Sequence, residues 1–371
     1  MSVTRILTGI DLPAAPSCGS MILAADAYRA MHGVHTTFLS MPPVDPAWHP
    51  PFDRLVQLHA AKQPYGPAFH AYVAQLCAEV KELIAQQRPD VIHAQHLGFG
   101  LSPALARAAD GVPVISIAHG TDVIAADHLE QARDVLTEVV AASVFVVAPN
   151  TTLAEHIDRL TAHRYTDRIT VIPWGIPASE ALVRHRPHDS VGPLELLHAG
   201  RLDENKSTVT AIEALALTNQ PHRLTVIGSG PELDHLIQRA QALGVQERVT
   251  FEPFLPRHEL WRRFPDYDVF VFTTAELEAF GLVAIEAQAH GLPVAYSNLP
   301  GMGDTLGRAG NPYTPGNPAS LAAAIDHLAR DTHWRRALIR AGLDNARRYE
   351  ITDTAGKLSE LTARATRAIS A

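Results

Sequence analysis

The sequence predicts an α/β protein made of two doubly wound, largely parallel sheets in series. Three observations carry this reading. Short β-branched runs alternate with helical patterns along almost the whole chain, as repeated βα units do. At 371 residues the chain is too long for one ordinary core and suits two domains of roughly 150–200 residues each. A polar stretch containing Pro, His and Ser interrupts the alternation near its middle, as an interdomain linker would.

In the first domain, residues 1–176, strands are expected at Thr4–Ile10, His35–Leu39, Val91–His93, Val112–Ile117, Val144–Val147 and Ile169–Ile172. Helical patterns lie between them at Met21–Met31, Phe69–Gln87 and His128–Ala142. Pro42–Pro67 is the one long irregular stretch, of the kind that often carries function. The linker is set at 177–193. A second series over 194–350 has strands at Leu194–His198, Arg223–Ile227, Arg248–Phe251, Val269–Phe272 and Val294–Tyr296. A helical tail, Ile351–Ser370, falls in the closing segment 351–371. Doubly wound sheets take ligands at the carboxyl ends of their strands, so a cleft between the two sets of ends is expected.

Composition narrows the function. Apolar residues make up 46% and charged residues 19%, and the net charge is −8, which argues against a nucleic-acid partner. Residues 1–176 hold sixteen acids against eleven bases, so no basic face offers itself to an anionic bilayer. The two cysteines, Cys18 and Cys77, form neither a disulfide framework nor a metal pattern. The chain opens directly on a strand without a signal-peptide pattern, and no apolar run reaches the roughly 20 residues of a membrane span. A cytoplasmic protein is expected, with no integral membrane contact; the sequence sets no oligomeric state. The excess of Arg over Lys, with 27 Pro and 20 His, suggests a GC-rich bacterial genome.

The most informative string is Glu278-Ala279-Phe280-Gly281-Leu282-Val283-Ala284-Ile285-Glu286. A Phe-Gly-Leu turn opens a helix here, and a helix N-terminus seats a diphosphate on free amides and the positive end of its dipole. Glu286, one turn on, can accept two hydrogen bonds from a ribose diol, and Glu278 faces the group beyond the phosphates. This order of parts describes a nucleotide-activated sugar. Gly200-Arg201-Leu202-Asp203-Glu204-Asn205-Lys206 adds two permanent cations at a strand-to-helix corner. With no metal-binding pattern in the chain, Arg201 and Lys206 take the part of a magnesium ion toward a leaving diphosphate.

Gly228-Ser229-Gly230-Pro231-Glu232 follows the next strand, a turn that lets a ligand approach the backbone and starts a helix. A Rossmann dinucleotide site would need a third glycine here, and it is missing. Cys18-Gly19-Ser20 opens the first helix, and His119-Gly120-Thr121-Asp122 follows an apolar strand. His93 and His96 flank Ala94-Gln95 without further ligands at metal spacing, which favours packing or an acceptor-side role. No Gly-x-Ser-x-Gly elbow occurs.

The glutamate string resembles the E-x7-E signature of the retaining glycosyltransferases of family four. The resemblance covers nearly the whole chain and is strongest over residues 195–300. It implies a GT-B fold, in which the tail crosses back to the first domain. The first domain would then bind the acceptor and the second the donor. It also assigns Gly228 and Gly230 to the nucleotide end of the donor, and Gly19 to the loop near the donor phosphates. His119 goes under the donor sugar, and the amides around Gly281, Leu282 and Val283 beside Phe280 go to phosphate or sugar hydroxyls. No cofactor is implied beyond a nucleoside diphosphate sugar as substrate, with UDP-sugar favoured. The family route to retention is front-face attack, in which the departing phosphate oxygen takes the acceptor proton.

This chain departs from the family pattern in reading Ser207 after the lysine where Gly is usual, and Pro173-Trp174-Gly175 where Pro-Asn-Gly is common, so an aromatic wall is expected near the hinge. The acids Asp11, Asp45, Asp53, Asp122 and Asp127 suggest a small soluble, cationic acceptor, an aminocyclitol or amino sugar of antibiotic biosynthesis, with Asp122, Asp127 and His96 lining its site. An acceptor of cell-wall or thiol metabolism is the alternative. A nucleotide-sugar epimerase and a non-catalytic sensor are the rivals from other classes.

Overall fold

A computed structural model describes residues 3–16, 18–46, 48–181, 191–276 and 278–370. The chain forms two compact units, 1–175 with 351–371, and 176–350.

The first unit runs β1 (Thr4–Ala14), α1 (Gly19–Ala30), β2 (Val34–Val44), β3 (Arg54–Gln57), α2 (Phe69–Gln87), β4 (Val91–Gln95), α3 (Leu101–Ala108), β5 (Val114–Ile117), α4 (Thr121–His128), α5 (Glu130–Ala142), β6 (Phe145–Ala148), α6 (Thr151–Leu160) and β7 (Ile169–Val171). Its sheet has the order β3-β2-β1-β4-β5-β6-β7, and all neighbours pair in parallel. Strands covered on both faces are buried along their length; β4 and β5 are buried at every position, and their polar members His93, Gln95 and Ser116 are hydrogen-bonded. Leu7, Leu39, Leu76, Ile92 and Leu105 join one core.

The second unit contains β8 (Glu195–Ala199), α7 (Thr208–Leu217), β9 (Arg223–Ile227), α8 (Leu233–Ala242), β10 (Val249–Glu252), α9 (Arg257–Arg263), β11 (Val269–Phe272), α10 (Leu282–Ala289), β12 (Val294–Ser297), α11 (Met302–Thr305), β13 (Asn311–Tyr313), α12 (Pro318–Arg330) and α13 (Thr332–Arg347). Its parallel sheet has the order β10-β9-β8-β11-β12-β13, over a core that includes Leu196, Ile212, Leu215, Val226, Val271 and Ile325. The last helix, α14 (Ile351–Ser370), packs on α1, β4 and β5 of the first unit.

Several expectations change in detail. Strands β1 and β2 continue to residues 14 and 44, past a register shift after Ile10. The irregular stretch hides β3, which pairs with β2; Phe52 stacks on Phe38 at 4.1 Å and Asp53 accepts from the Thr36 amide at 2.7 Å. The helix expected at His128–Ala142 forms as α5, and α4, which was not expected, precedes it, parted from it at Leu129, whose φ of −123° and ψ of 119° are extended. The edge strand β13 went unpredicted. Of the linker expected at 177–193, residues 182–190 lie outside the described residues; Ala178–Glu180 forms a 3-10 turn.

Both sheets reverse their order about one strand. In the first unit β1 lies between β2 and β4, and in the second β8 lies between β9 and β11. Doubly wound sheets bind ligands beyond the carboxyl ends of the strands at such a switch point. The segments that follow β1 and β4 carry Gly19 and His96 in one unit, and those that follow β8 and β11 carry Arg201 and Glu278 in the other.

Candidate functional site in two halves

In the second unit the loops after β8 and β11 are tied together. The Ala275 amide donates to Asn205 O at 2.7 Å and the Thr273 hydroxyl to Lys206 O at 2.9 Å. This brings Lys206 Nζ to 2.7 Å from Glu278 Oε2, with the two side chains only 23% and 15% exposed. Glu278 Oε1 accepts from the amides of Gly281 at 3.2 Å and Phe280 at 3.4 Å. Burial pushes the Glu278 carboxyl up, but the Lys206 charge, its hydrogen bond and the two amides outweigh it and hold the group below its usual range.

The sequence reading gave the Gly281 amide to a phosphate or sugar hydroxyl. Glu278 accepts from that amide, so among the described residues the first-turn donors of α10 without a partner are Leu282 and Val283. Gly281 has φ 75°, where glycine is the unstrained residue, and its missing Cβ would lie 2.9 Å from Met302 Cε. Glu286 is buried, at 6% exposure. Arg201 is the more exposed cation, 60% accessible and 3.2 Å from Asp203. Ser207, in the family's glycine position, adopts φ 47°.

Gly228 and Gly230 have a reason other than ligand approach. A Cβ at Gly228 would stand 1.9 Å from Gly200 O, and one at Gly230 would stand 2.2 Å from Leu202 O. Leu202 donates to Ser229 O at 2.9 Å and accepts from the Glu232 amide at 3.0 Å. These glycines let the loop after β9 lie against the backbone that carries Arg201.

In the first unit, His119 leaves β5 and its Nε2 lies 2.8 Å from Gln95 Oε1. Its ring stacks on His96 at 4.3 Å and on Trp174 at 5.8 Å, so the Trp174 wall stands against His119. Burial, and then the neighbouring His96, hold its pKa well below the usual histidine value despite Asp122; the ring is neutral at pH 7. His96 is itself buried, with φ 68°, and neither ring nitrogen has a hydrogen-bond partner; its Nδ1 is 3.9 Å from Asp122, too far for a hydrogen bond. Gly19 is the exposed first residue of α1.

The acids expected to meet a cationic acceptor are otherwise engaged. Asp122 is 1% exposed and accepts from the amides of Leu97 at 2.5 Å, Gly120 at 2.7 Å and His119 at 3.2 Å. It is a structural anchor for the His119 loop, and the expectation of an acceptor-facing charge there is corrected. Asp127 lies 2.8 Å from His156 Nε2, and the Arg133 guanidinium donates to its carbonyl at 3.2 Å. Buried Asp11 is 3.5 Å from Lys62 Nζ and accepts from Tyr72 at 3.0 Å. Lys62, at the same end of the sheet, is 41% exposed. Sequence reasoning missed Lys62 and Gln95, which belong to no motif.

Among the described residues no group of three or more His, Cys, Asp or Glu is arranged to hold a metal ion, and no helix is long and apolar enough to cross a membrane.

Two parallel α/β units with a cation–carboxylate pair beside a helix N-terminus fit the class of nucleotide-sugar-dependent glycosyltransferases. The family model described as "Glycosyl transferases group 1" matches residues 184–344, and the one described as "Glycosyltransferase Family 4" matches residues 25–180. Glycogen synthase of Mycobacterium tuberculosis H37Rv is 30% identical over 318 residues, covering 77% of this chain and 75% of that protein. D-inositol 3-phosphate glycosyltransferase of Frankia alni is 32% identical over 321 residues, 77% of each chain. Among solved structures, sucrose-phosphate synthase from Thermosynechococcus elongatus superposes with a TM-score of 0.82 at 21% identity, over 98% of this chain and 100% of that one. Anabaena HepE in complex with UDP-glucose gives 0.78 at 20%, over 97% and 99%. The chain belongs to glycosyltransferase family 4 and has the GT-B fold.

Proposed function

We propose that this glycosyltransferase moves a sugar, with retention and without a metal ion, from a nucleoside diphosphate sugar to a hydroxyl of a small soluble polyol of the cyclitol class. The setting is cytoplasmic. The observation that carries the donor half is the Lys206–Glu278 pair at the mouth of α10, with Glu286 one turn further on. UDP is the favoured nucleotide, since the similar HepE is described with UDP and with UDP-glucose.

Donor phosphates take the Leu282 and Val283 amides and the charges of Arg201 and Lys206, and the ribose takes Glu286. Glu278 and His119 orient the sugar. As the bond from the anomeric carbon to phosphate breaks, the electron pair leaves with the nucleoside diphosphate. The acceptor oxygen bonds to the same face, and its proton passes to the departing phosphate oxygen. Arg201 and Lys206 stabilise the charge that grows on the leaving group.

The acceptor class rests on the relatives named for inositol phosphate and on engaged carboxylates beside exposed Lys62, which disfavour an amine. The test is a panel of inositol, inositol phosphate, aminocyclitols and a linear glucan against several nucleoside diphosphate sugars, with product anomers read by NMR. Transfer to inositol or its phosphate with the α-anomer kept supports the reading. Preference for aminocyclitols restores the antibiotic-pathway acceptor, and preference for glucan moves the chain toward the glycogen synthases. Donor isomerised without acceptor, or bound without turnover, overturns glycosyl transfer itself.

A further inference from the structure

We propose that Asp203 is a positioning residue for both leaving-group cations, one carboxylate oxygen setting the Arg201 guanidinium and the other the turn that carries Lys206. The inference rests on the leaving-group role given to Arg201 and Lys206 above. The two cations share the loop after β8, and Asp203 stands between them in sequence.

One oxygen serves the arginine. Asp203 Oδ2 lies 3.2 Å from Arg201 Nη2, and among the described residues no other carboxylate meets this guanidinium. Arginine carries five N–H donors in a rigid fork, so a contact at Nη2 leaves the Nε and Nη1 hydrogens for phosphate oxygens. At 60% exposure a side chain of this length samples many rotamers, and fixing them costs entropy. The pair with Asp203 meets part of that cost before the donor arrives.

The other oxygen serves the lysine. Asp203 Oδ1 accepts from the Lys206 amide at 3.0 Å, and the Asp203 carbonyl accepts from the same amide at 3.1 Å. Asp203 thus caps the 3-10 turn Glu204–Lys206, which runs into Ser207 with its left-handed φ of 47°. A residue other than glycine is disfavoured in that conformation, so the turn depends on its cap to keep its shape. At the Lys206 carbonyl the Thr273 hydroxyl donates at 2.9 Å. The lysine backbone is therefore held at its amide and at its carbonyl, and Nζ is delivered to Glu278 Oε2 at 2.7 Å.

Asp203 is also an anion beside groups that receive a diphosphate. Its charge opposes ground-state binding of the nucleotide, while its contacts order the cations that act at the transition state. The two effects have opposite signs. A residue that only supported the loop would move binding and turnover the same way.

The test uses the full-length protein, with turnover read on the donor and acceptor selected by the panel above and binding read by calorimetry with UDP. Asp203→Asn keeps a capping oxygen, since Asn, Asp and Ser cap about equally well, and removes the charge that pairs with Arg201. Turnover should fall about 5-fold, the upper end for an ion pair at this exposure, while UDP binds about 2-fold tighter. In the Arg201→Ala background the same change should lower turnover less than about 2-fold, because the partner is already gone. Asp203→Ala loses the cap as well, and in either background its turnover should lie about 5-fold below that of Asp203→Asn. Asp203→Ser caps but cannot reach the guanidinium; it should match the asparagine variant and keeps the test open if that one does not fold. The inference is overturned by an Asp203→Asn loss that persists undiminished without Arg201, by UDP binding that weakens along with turnover, or by equal turnover in the alanine and asparagine variants. Wild-type turnover in both Arg201→Ala and Lys206→Ala overturns instead the leaving-group role on which the inference rests.

Discussion

Asp122 shows how an acid at the mouth of a site can serve the fold. Burial would raise its pKa; the His96 and His119 rings and the Leu97 amide outweigh that and hold it at about 2, against 3.8 for an unperturbed group. A carboxyl depressed in the folded state adds stability above the unfolded pKa and loses it as pH falls toward the folded one. The shift corresponds to about 2 kcal/mol. Asp122→Asn turns an N–H₂ toward backbone N–H groups and should lose about 2 kcal/mol at pH 7. Urea unfolding should show the difference from wild type constant above about pH 5 and shrinking toward pH 2; a difference that persists undiminished at pH 2 would refute the carboxylate account. Arg201 and Lys206 act on charge that develops at the transition state. Arg201→Ala and Lys206→Ala should each lower turnover on the order of 100-fold and weaken nucleotide binding far less. Glu286→Ala should instead raise the dissociation constant for UDP, measured by calorimetry, because ribose contacts are alike in ground and transition states.

At the scale of elements, loop-to-loop contact sets the shape of the donor half. Gly228→Ala would drive a Cβ onto Gly200 O, which is backbone and cannot rotate away; a loss of about 3 kcal/mol is expected, at the upper end for overpacking. Gly356 is an exposed glycine inside α14 with nothing near its Cβ position. Gly356→Ala should add roughly 0.5–1 kcal/mol through helix propensity. Thermal unfolding of the two variants checks both signs. The same contrast explains what the sequence made legible. Strands such as Val269–Phe272 are buried on both faces and read as unbroken apolar runs. β3 has two of four residues exposed, and β13 carries Pro312 at the sheet edge, where proline is tolerated; neither has that signal. The site divided likewise. Glu278, Gly281 and Glu286 share one short string, and Arg201 and Lys206 share another. His119 meets Gln95 from a different strand, and no local pattern marks that pair.

The whole molecule is discontinuous in sequence, since the first unit needs residues 351–371 as well as 1–175. Ile351, Ala355, Leu358, Leu361 and Ala365 on α14 are all buried at the spacing of one helical stripe. Burial of Ile351, Leu358 and Leu361 alone contributes roughly 1.5–3 kcal/mol each, a sum comparable with the whole stability of an ordinary domain, about 5–15 kcal/mol. The second unit has its own core around Leu196, Ile212 and Ile325, and α14 supplies none of it. A chain ended at Glu350 should therefore lose the first unit and keep the second. Hydrogen exchange read by mass spectrometry should find β1, β4 and β5 unprotected and β8, β11 and β12 as slow to exchange as in the full-length protein. UDP binding, assigned here to the second unit, should survive the truncation within about 10-fold, while sugar transfer is abolished. Protection of β4 and β5 in the shortened chain would show that α14 is dispensable to the fold. Loss of protection in both units would show that their stabilities are not separable.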